Sequence, residues 1–119
     1  MSVFDSTQIA LMSAISGATL RDTVLANNIA NADTPGFQPS DVNFHAALSD
    51  ALGEGPEALE NLSFVPEQLN TGAVRADGNG VDSDAEAAKL AESSLEIEAL
   101  EQVAGSRLAI MRSAMGMNS

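Results

Sequence analysis

Few side chains in this sequence are of types that could carry out catalysis or bind a metal. His45 is the only histidine and cysteine is absent, which excludes a Cys–His nucleophile pair and a zinc site built from Cys and His. No serine lies in a Gly-x-Ser-x-Gly turn, the strained turn that exposes the nucleophile of many hydrolases. We therefore interpret His45 as an ordinary polar residue and expect no catalytic site, no metal site and no cofactor.

One short segment is similar to a calcium-binding loop. Residues 77–82 read Asp-Gly-Asn-Gly-Val-Asp, and carboxylate and amide oxygens are ligands that Ca²⁺ prefers. An EF-hand loop, however, needs an oxygen ligand where Val81 stands and an acidic residue where Ala88 stands. The segment is better interpreted as a tight turn that leads into a helix.

The composition limits both the partners and the core. The 119 residues include 17 acidic and 5 basic side chains, for a formal net charge of −12. Such a charge repels phosphate backbones and anionic lipid headgroups, so neither nucleic acid nor a membrane surface is an expected partner. No run approaches the roughly 20 apolar residues of a membrane span, and residues 1–10 contain no basic residue. We expect neither direct membrane insertion nor a Sec-type signal peptide.

Two long helices must position whatever site the chain contains. From residue 5 to residue 31 the apolar residues recur at helical spacing without proline, and Thr34-Pro35-Gly36 then ends the pattern. A second helix is predicted from residue 83 to about residue 115, because Ser83 and Glu86 fit a capping box. With only 3% aromatic residues, the core between these helices must be aliphatic.

The predicted fold class is all-α, with two long antiparallel terminal helices that form a coiled-coil-like pair. We divide the chain into an N-terminal helix with its asparagine-rich turn (1–36), an irregular acidic linker (37–82) and a C-terminal helix (83–119). The linker holds most of the prolines and glycines, so we expect it to be largely extended, with short helices possible at 44–52 and 56–62. Residues 41–101 contain 14 of the acidic side chains, which leaves both ends of the chain nearly neutral.

Each predicted helix is apolar on two opposite sides. On the first helix one stripe contains Phe4, Leu11, Ile15, Ala18, Leu25 and Ile29, and the other contains Ile9, Leu20 and Val24. On the last helix one stripe contains Leu90, Ile97, Leu100, Ala104, Leu108, Met111 and Met115, and the other contains Leu95, Ala99, Val103 and Ile110. An isolated pair of helices buries only one stripe from each. We expect neighbouring chains to cover the second stripes; the alternative is that residues 37–82 cover them within one compact domain.

The first stripes also predict an antiparallel register. In an antiparallel pair, the residue numbers of facing residues add up to the same total. The stripes meet this condition with Leu25 and Leu90, Ala18 and Ile97, Ile15 and Leu100, Leu11 and Ala104, and Phe4 and Met111. This register places Asp22 beside Ser93 and Ser94, where a buried polar layer would fix the alignment of the helices. The alternative is that Asp22 simply reaches solvent.

The most specific motif lies at the end of the first helix. Residues 25–37 read Leu-Ala-Asn-Asn-Ile-Ala-Asn-Ala-Asp-Thr-Pro-Gly-Phe, and a helix end alone does not need three asparagines in five positions to satisfy its open backbone groups. The segment resembles the N-terminal signature of the bacterial flagellar rod and hook family, in which a helix leads into Asn-Ile-Ala-Asn, Thr-Pro-Gly and an aromatic residue. Residues 77–82, 88–92 and 107–112 are similar to segments of its proximal-rod subunits.

The resemblance implies a structural role. It implies a non-enzymatic axial subunit of the basal-body proximal rod, exported from the cytoplasm by the flagellar type III apparatus and polymerised through its terminal helices into a tube that transmits motor torque. The implied partners are other copies, other rod subunits, the hook-basal body adaptor protein, the membrane ring and the export gate.

The candidate interaction residues follow from the resemblance and the stripes together. At the turn they are Asn28, Asn31, Pro35 and Gly36, and in the helix interface they are Leu11, Ile15, Leu25, Ile97, Leu108 and Met111. A second function class stays open, namely an acidic secretion chaperone or helical binding module that caps a partner helix and folds as a monomer. A hydrolase is the least favoured class, because no acid, base and nucleophile can be named.

Overall fold

The structure, a computed structural model, describes residues 3–69 and 81–116, with side chains from residue 6 onward. In chain order its elements are α1 (Val3–Ala30), β1 (Ser40–Asp41), α2 (Phe44–Glu54), α3 (Pro56–Glu60), β2 (Glu67–Gln68) and α4 (Ser83–Ala114). The two strands pair antiparallel and are two residues long each, so the predicted all-α class is confirmed. The predicted turn at 77–80 and the contact of the Phe4 side chain lie outside the described part of the chain.

Helices α1 and α4 form an antiparallel pair. Asn28, near the end of α1, contacts Glu86 in the first turn of α4, whereas Asp22, one and a half turns earlier, contacts Ser94 two turns further along α4. The hydroxyl of Ser94 donates to Oδ2 of Asp22 at 3.3 Å, and Oδ1 of Asp22 is shielded from solvent. The predicted polar layer is therefore confirmed, and the carboxylate faces the helix pair.

The first turn of α4 is capped differently from the prediction. The helix begins at Ser83, but its N-cap is Asp82, whose Oδ1 accepts hydrogen bonds from the amides of Asp84 at 3.1 Å and Ala85 at 3.3 Å. The predicted capping box from Ser83 to Glu86 is therefore wrong. Asp and Ser are comparably good N-caps, and Glu86 is 4% exposed because it faces α1.

The segment between the long helices covers one side of α1. Its described part, residues 37–69, contains α2, α3 and both strands, and so has more regular structure than the extended linker that we expected. The buried core cluster consists of Ala14, Ala18, Val42 and Phe44. Leu20 and Val24, two members of the second α1 stripe, pack against this cluster. Cover by the middle segment, the alternative left open by the sequence, is thus correct for these two residues, whereas Ile9, the third member of the stripe, lines an open groove.

The molecule is long and thin. Its principal extents are 62 × 31 × 14 Å and its radius of gyration is 17.9 Å, whereas a compact chain of this length would have roughly 13 to 14 Å. A body 14 Å thick has room for little more than one layer of helices, each about 10 Å across. Among residues 3–69 and 81–116, no further layer covers the side chains on its broad faces.

Helix α1 is also long and apolar enough to span a membrane. Residues Ser6–Ala30 meet that criterion by length and composition alone, contrary to our expectation that no segment would. The helices of a protein core meet the same criterion. In this structure Ala18 and Leu25 of α1 are fully buried, and Asp22 in the same helix bonds to Ser94, so α1 packs against its own chain along one side.

Gly17 allows the middle segment to reach the backbone of α1. A Cβ atom at this position would lie 2.7 Å from Cβ and 2.9 Å from Cγ of Phe44, and 3.1 Å from a ring carbon of Phe64. The two rings also contact each other edge to face, with their centroids 6.3 Å apart. The aromatic side chains of the middle segment therefore pack where α1 has no side chain.

We expect Gly17→Ala to destabilise the fold by about 1 kcal/mol, because overpacking costs about 1 to 3 kcal/mol and the gain in helix propensity returns only about 1 kcal/mol. Gly105→Ala is the matched control: the new methyl group on α4 would meet no atom of another element within 4 Å, so it should stabilise by up to about 1 kcal/mol. Urea unfolding followed by circular dichroism measures both. Equal stabilisation by the two substitutions would contradict the contact at Gly17.

Candidate assembly interface

The side-chain amide of Asn28 joins three parts of the chain. Asn28 is 1% exposed, and its Nδ2 donates to the carbonyl oxygen of Ser40 at 2.7 Å and to Oε2 of Glu86 at 3.2 Å. Its Oδ1 accepts from the amide of Ser40 at 3.0 Å. The asparagine thus bonds to both backbone groups of Ser40, as a neighbouring strand would, while it also holds the first turn of α4.

The carboxylate of Glu86 is the charged member of this group. It lies in a buried position, where an unpaired charge would be costly, and it has two partners. Oε2 accepts from Asn28, and Oε1 lies 3.5 Å from Nζ of Lys89, one turn further along α4. Because Asn28 is on α1, its hydrogen bond to Glu86 fixes the rotation of α4 about its axis relative to α1, while Lys89 on α4 partly neutralises the carboxylate.

The other residues of the predicted turn lie at the surface. Nδ2 of Asn31 donates to the carbonyl of Asn27 at 2.9 Å, and Oδ1 of Asn31 accepts from the hydroxyl of Thr34 at 3.2 Å. Pro35 and Gly36 are exposed, and Gly36 has a φ of +79°, in the left-handed region that favours glycine. The turn therefore reverses the chain after α1 and brings β1 back to Asn28.

An ion pair fixes β1 to α1 beside the asparagine. Nε of Arg21 donates to Oδ1 of Asp41 at 2.8 Å and Nη2 donates to Oδ2 at 3.3 Å. Burial raises the pKa of Asp41, but the hydrogen bonds from Arg21 and from the amide of Val42, together with the charge of Arg21, outweigh burial and hold the pKa below its ordinary 3.8. The bond to Asp41 likewise raises the pKa of Arg21.

One side of α4 remains uncovered. We call Leu95, Ala99, Val103 and Ile110 the α4 outer face; these are the residues of its second predicted stripe. Leu95 is 67% exposed, Val103 is 48% exposed and Ile110 is 59% exposed, and Ala99 is also exposed. Residues 37–69, which cover one side of α1, do not pack on this face.

A second apolar surface lies at the other side of the helix pair. A groove of about 650 Å³ is bounded by α1, by the end of α3 and by Met111 of α4. Its apolar walls include Ile9, Met12 and Leu59. The side-chain amide of Gln8 lies in this groove with both polar atoms shielded from solvent, and it has no hydrogen-bond partner among the residues that the structure describes.

The structure brings some of the predicted interaction residues together and separates others. Leu25 and Asn28 are buried, whereas the partly buried residues are Leu11, Ile15, Asn31, Ile97 and Met111. Ile97 packs on the core cluster, so it contacts its own chain. Pro35, Gly36 and Leu108 are exposed, the last to 42%. That these residues bind other subunits stays a prediction.

Sequence reasoning missed several contacts. Glu86 was assigned to a capping box, and nothing in its spacing pointed to Asn28, 58 positions away. The ion pair of Arg21 with Asp41 was also missed, although Arg21 is the only basic residue in α1. His45, interpreted as an ordinary polar residue, lies with Nε2 at 2.8 Å from Oε2 of Glu96.

Comparison with known proteins yields a family match that includes the asparagine-rich end of α1. Residues 10–38 match the family model described as flagella basal body rod protein, a range that contains Asn28 and the turn after it. A long antiparallel helix pair with this turn at its end defines the class of protein: the chain is a structural subunit of the bacterial flagellar basal body rod.

Relatives cover most of the chain. The chain is 31% identical to the flagellar basal body rod protein FlgB of Yersinia enterocolitica, over 80% of this chain and 82% of that protein. It is 37% identical to FlgB of Aeromonas hydrophila over 71% and 74% of the two chains, and 32% identical to FlgB of Bacillus subtilis over 84% and 85%. The chain belongs to the FlgB family.

We expect Asn28→Ala to lower the free energy of unfolding by about 2 to 4 kcal/mol, because it leaves the amide and carbonyl of Ser40 and the carboxylate of Glu86 short of partners in a buried place. Asn31→Ala, the same change in the turn that follows α1, removes only exposed side-chain hydrogen bonds and should cost about 1 kcal/mol or less. Urea unfolding compares the two variants. Equal losses would show that Asn28 does not organise this site.

The pair of Arg21 with Asp41 predicts a pH dependence. The folded pKa of Asp41 lies below its unfolded value of 3.8, so the pair stabilises the fold above that pH, and its contribution disappears as the pH falls through the folded pKa. The loss of unfolding free energy in Asp41→Asn should therefore be largest near neutral pH and should shrink below about pH 4. Urea unfolding across this range measures it. In an Arg21→Gln background most of the dependence should vanish; if it persists there, Arg21 is not its cause.

Proposed function

We propose that this subunit polymerises through its terminal helices and that the α4 outer face contacts a neighbouring subunit of the proximal rod. The observation that carries the proposal is the exposure of Leu95, Val103 and Ile110 on one side of α4, in a chain of a family whose members build a rod. Covering apolar surface contributes about 25 cal/mol per Å². A contiguous exposed apolar face on a helix is typical of a protein interaction site.

The helix pair suits a role in transmitting torque. Hydrogen bonds from Asn28 and Ser94, and the ion pair of Arg21 with Asp41, connect α1 to the rest of the chain at successive levels. Such buried or partly buried polar contacts fix the rotation and register of the helices. A subunit held in this way would pass a twisting force along α1 and α4, and we propose no enzymatic activity for it.

The partners and the route to the rod follow from the family resemblance. We propose that the subunit leaves the cytoplasm through the flagellar type III apparatus and meets the export gate, the membrane ring and the hook-basal body adaptor protein at the base of the rod. The net charge of −12 favours solubility before assembly. The alternative of a secretion chaperone or binding module lacks support from the relatives, which are rod proteins.

We expect Leu95→Asp combined with Val103→Asp to abolish self-association of the purified chain and to abolish swimming. Each substitution places a charge in a contact that otherwise gains on the order of 2 kcal/mol per buried aliphatic side chain. Sedimentation at increasing concentration measures association, and soft-agar spreading measures motility. Because both side chains are exposed, circular dichroism of the monomer should not change.

Leu52→Asp is the matched control for this experiment. Leu52 lies on α2, away from the α4 outer face, and is 53% exposed. Its substitution by aspartate therefore repeats the leucine-to-aspartate change of Leu95 at another exposed site. The Leu52→Asp chain should associate and swim normally. Normal association and swimming of the Leu95→Asp, Val103→Asp chain would overturn the proposal.

A further inference from the structure

The groove beside α1 has a floor and two walls. Its floor is one face of α1 that spans about 12 Å, or about two helical turns, and consists of Gln8, Ile9, Met12, Ser13 and Ser16. The end of α3 forms one wall, and Met111 of α4 contributes to the other. Among the residues whose side chains the structure describes, none fills the groove. An elongated surface of this kind receives the apolar side of a helix, whose anchors recur at helical spacing.

The surface of the groove is apolar and adaptable. Its apolar side chains are Ile9, Met12, Leu59, Leu62 and Met111. Met12 remains 55% exposed. Methionine side chains are flexible and fit apolar partners of different shape, and a contiguous exposed apolar surface is typical of an interaction site. The groove can therefore accept aliphatic anchors.

The charge at the groove is negative. Glu60 is the only charged residue among the described residues that line it, and it is exposed. Residues 37–69, which supply this wall, contain six acidic residues and neither lysine nor arginine, while residues 8–16 of the floor carry no charge. A second copy has the same net charge of −12 and is repelled by this wall, whereas a basic partner is attracted to it.

We infer that the groove receives the apolar side of an amphipathic helix from a different protein, and that this helix carries a lysine or arginine where it passes Glu60. Leu62 lines the groove beside Glu60. The aliphatic stem of the basic side chain covers this leucine while its charged end meets the carboxylate. The groove is separate from the α4 outer face, so the inference goes beyond the proposed function and does not rest on it.

The first test measures the charge preference. It uses the full chain and two fluorescein-labelled synthetic peptides of about four helical turns, both with leucines at helical spacing, one with lysines beside them and one with glutamates. In fluorescence anisotropy at physiological salt, the lysine peptide should bind at least about tenfold more tightly. Glu60→Lys should reduce this preference by about tenfold. Glu98→Lys makes the same change at an exposed site of α4 outside the groove, where salt screens the charge, and should change the preference by less than about twofold.

The second test measures whether the peptide lies in the groove. Ser16→Trp places a large side chain on the floor and should weaken binding of the lysine peptide by about tenfold or more, because it occupies the space of the aliphatic anchors. Thr19→Trp is the matched control at an exposed position of α1 outside the groove, and it should bind as the unmodified chain does. Ser16 is also exposed, so circular dichroism should show the same helix content in both variants.

The outcomes separate a basic helix from other occupants. Equal binding of the two peptides, equal effects of Glu60→Lys and Glu98→Lys, or equal effects of the two tryptophan variants would each overturn the inference. Loss of self-association in Ser16→Trp would assign the groove to a second copy, and binding to phosphatidylcholine vesicles that Ser16→Trp prevents would assign it to lipid; both contradict a basic helix. The Leu95→Asp, Val103→Asp chain, which tests the proposed function, should bind the lysine peptide normally, and loss of binding there would also overturn the inference.

Discussion

The amide of Asn28 bonds to both backbone groups of Ser40 and to the carboxylate of Glu86, and the arrangement of the other elements depends on these bonds. Inside a protein such hydrogen bonds are strong, and an amide or carboxylate left without a partner is costly. The end of α1, β1 and the start of α4 are therefore held at one point. These three segments cannot move independently.

After Ser40, the middle segment runs along one side of α1. Val42 and Phe44 follow β1 directly and pack against Ala14 and Ala18, and Gly17 leaves the space that Phe44 occupies. A single short segment can cover only one side of a pair of helices. It covers Leu20 and Val24 of the second α1 stripe, whereas Ile9 lines the open groove and the second stripe of α4 lies in solvent. The molecule therefore keeps apolar surface at two places.

This asymmetry gives the family assignment a physical meaning. A rod subunit must be stable enough to be a defined building block, yet it must keep apolar surface for its neighbours. The polar bonds of Asn28 and Arg21 and the aromatic packing at Gly17 supply the stability. The residues of the α4 outer face supply the surface, and they take no part in the core cluster.

The sequence by itself determined the two long helices, their antiparallel register and the layer of Asp22 with Ser94. Helical periodicity is set by residues close in sequence, and the heptad-like spacing of the apolar stripes sets which residues of two antiparallel helices face each other. The asparagine motif likewise identified the family without any coordinates. Only the tertiary structure decided that Glu86 bonds to Asn28 rather than to the helix cap, and that the middle segment covers α1 and not α4. These outcomes depend on which distant groups meet and which apolar surface is filled first, and neither is encoded in the spacing of neighbouring residues.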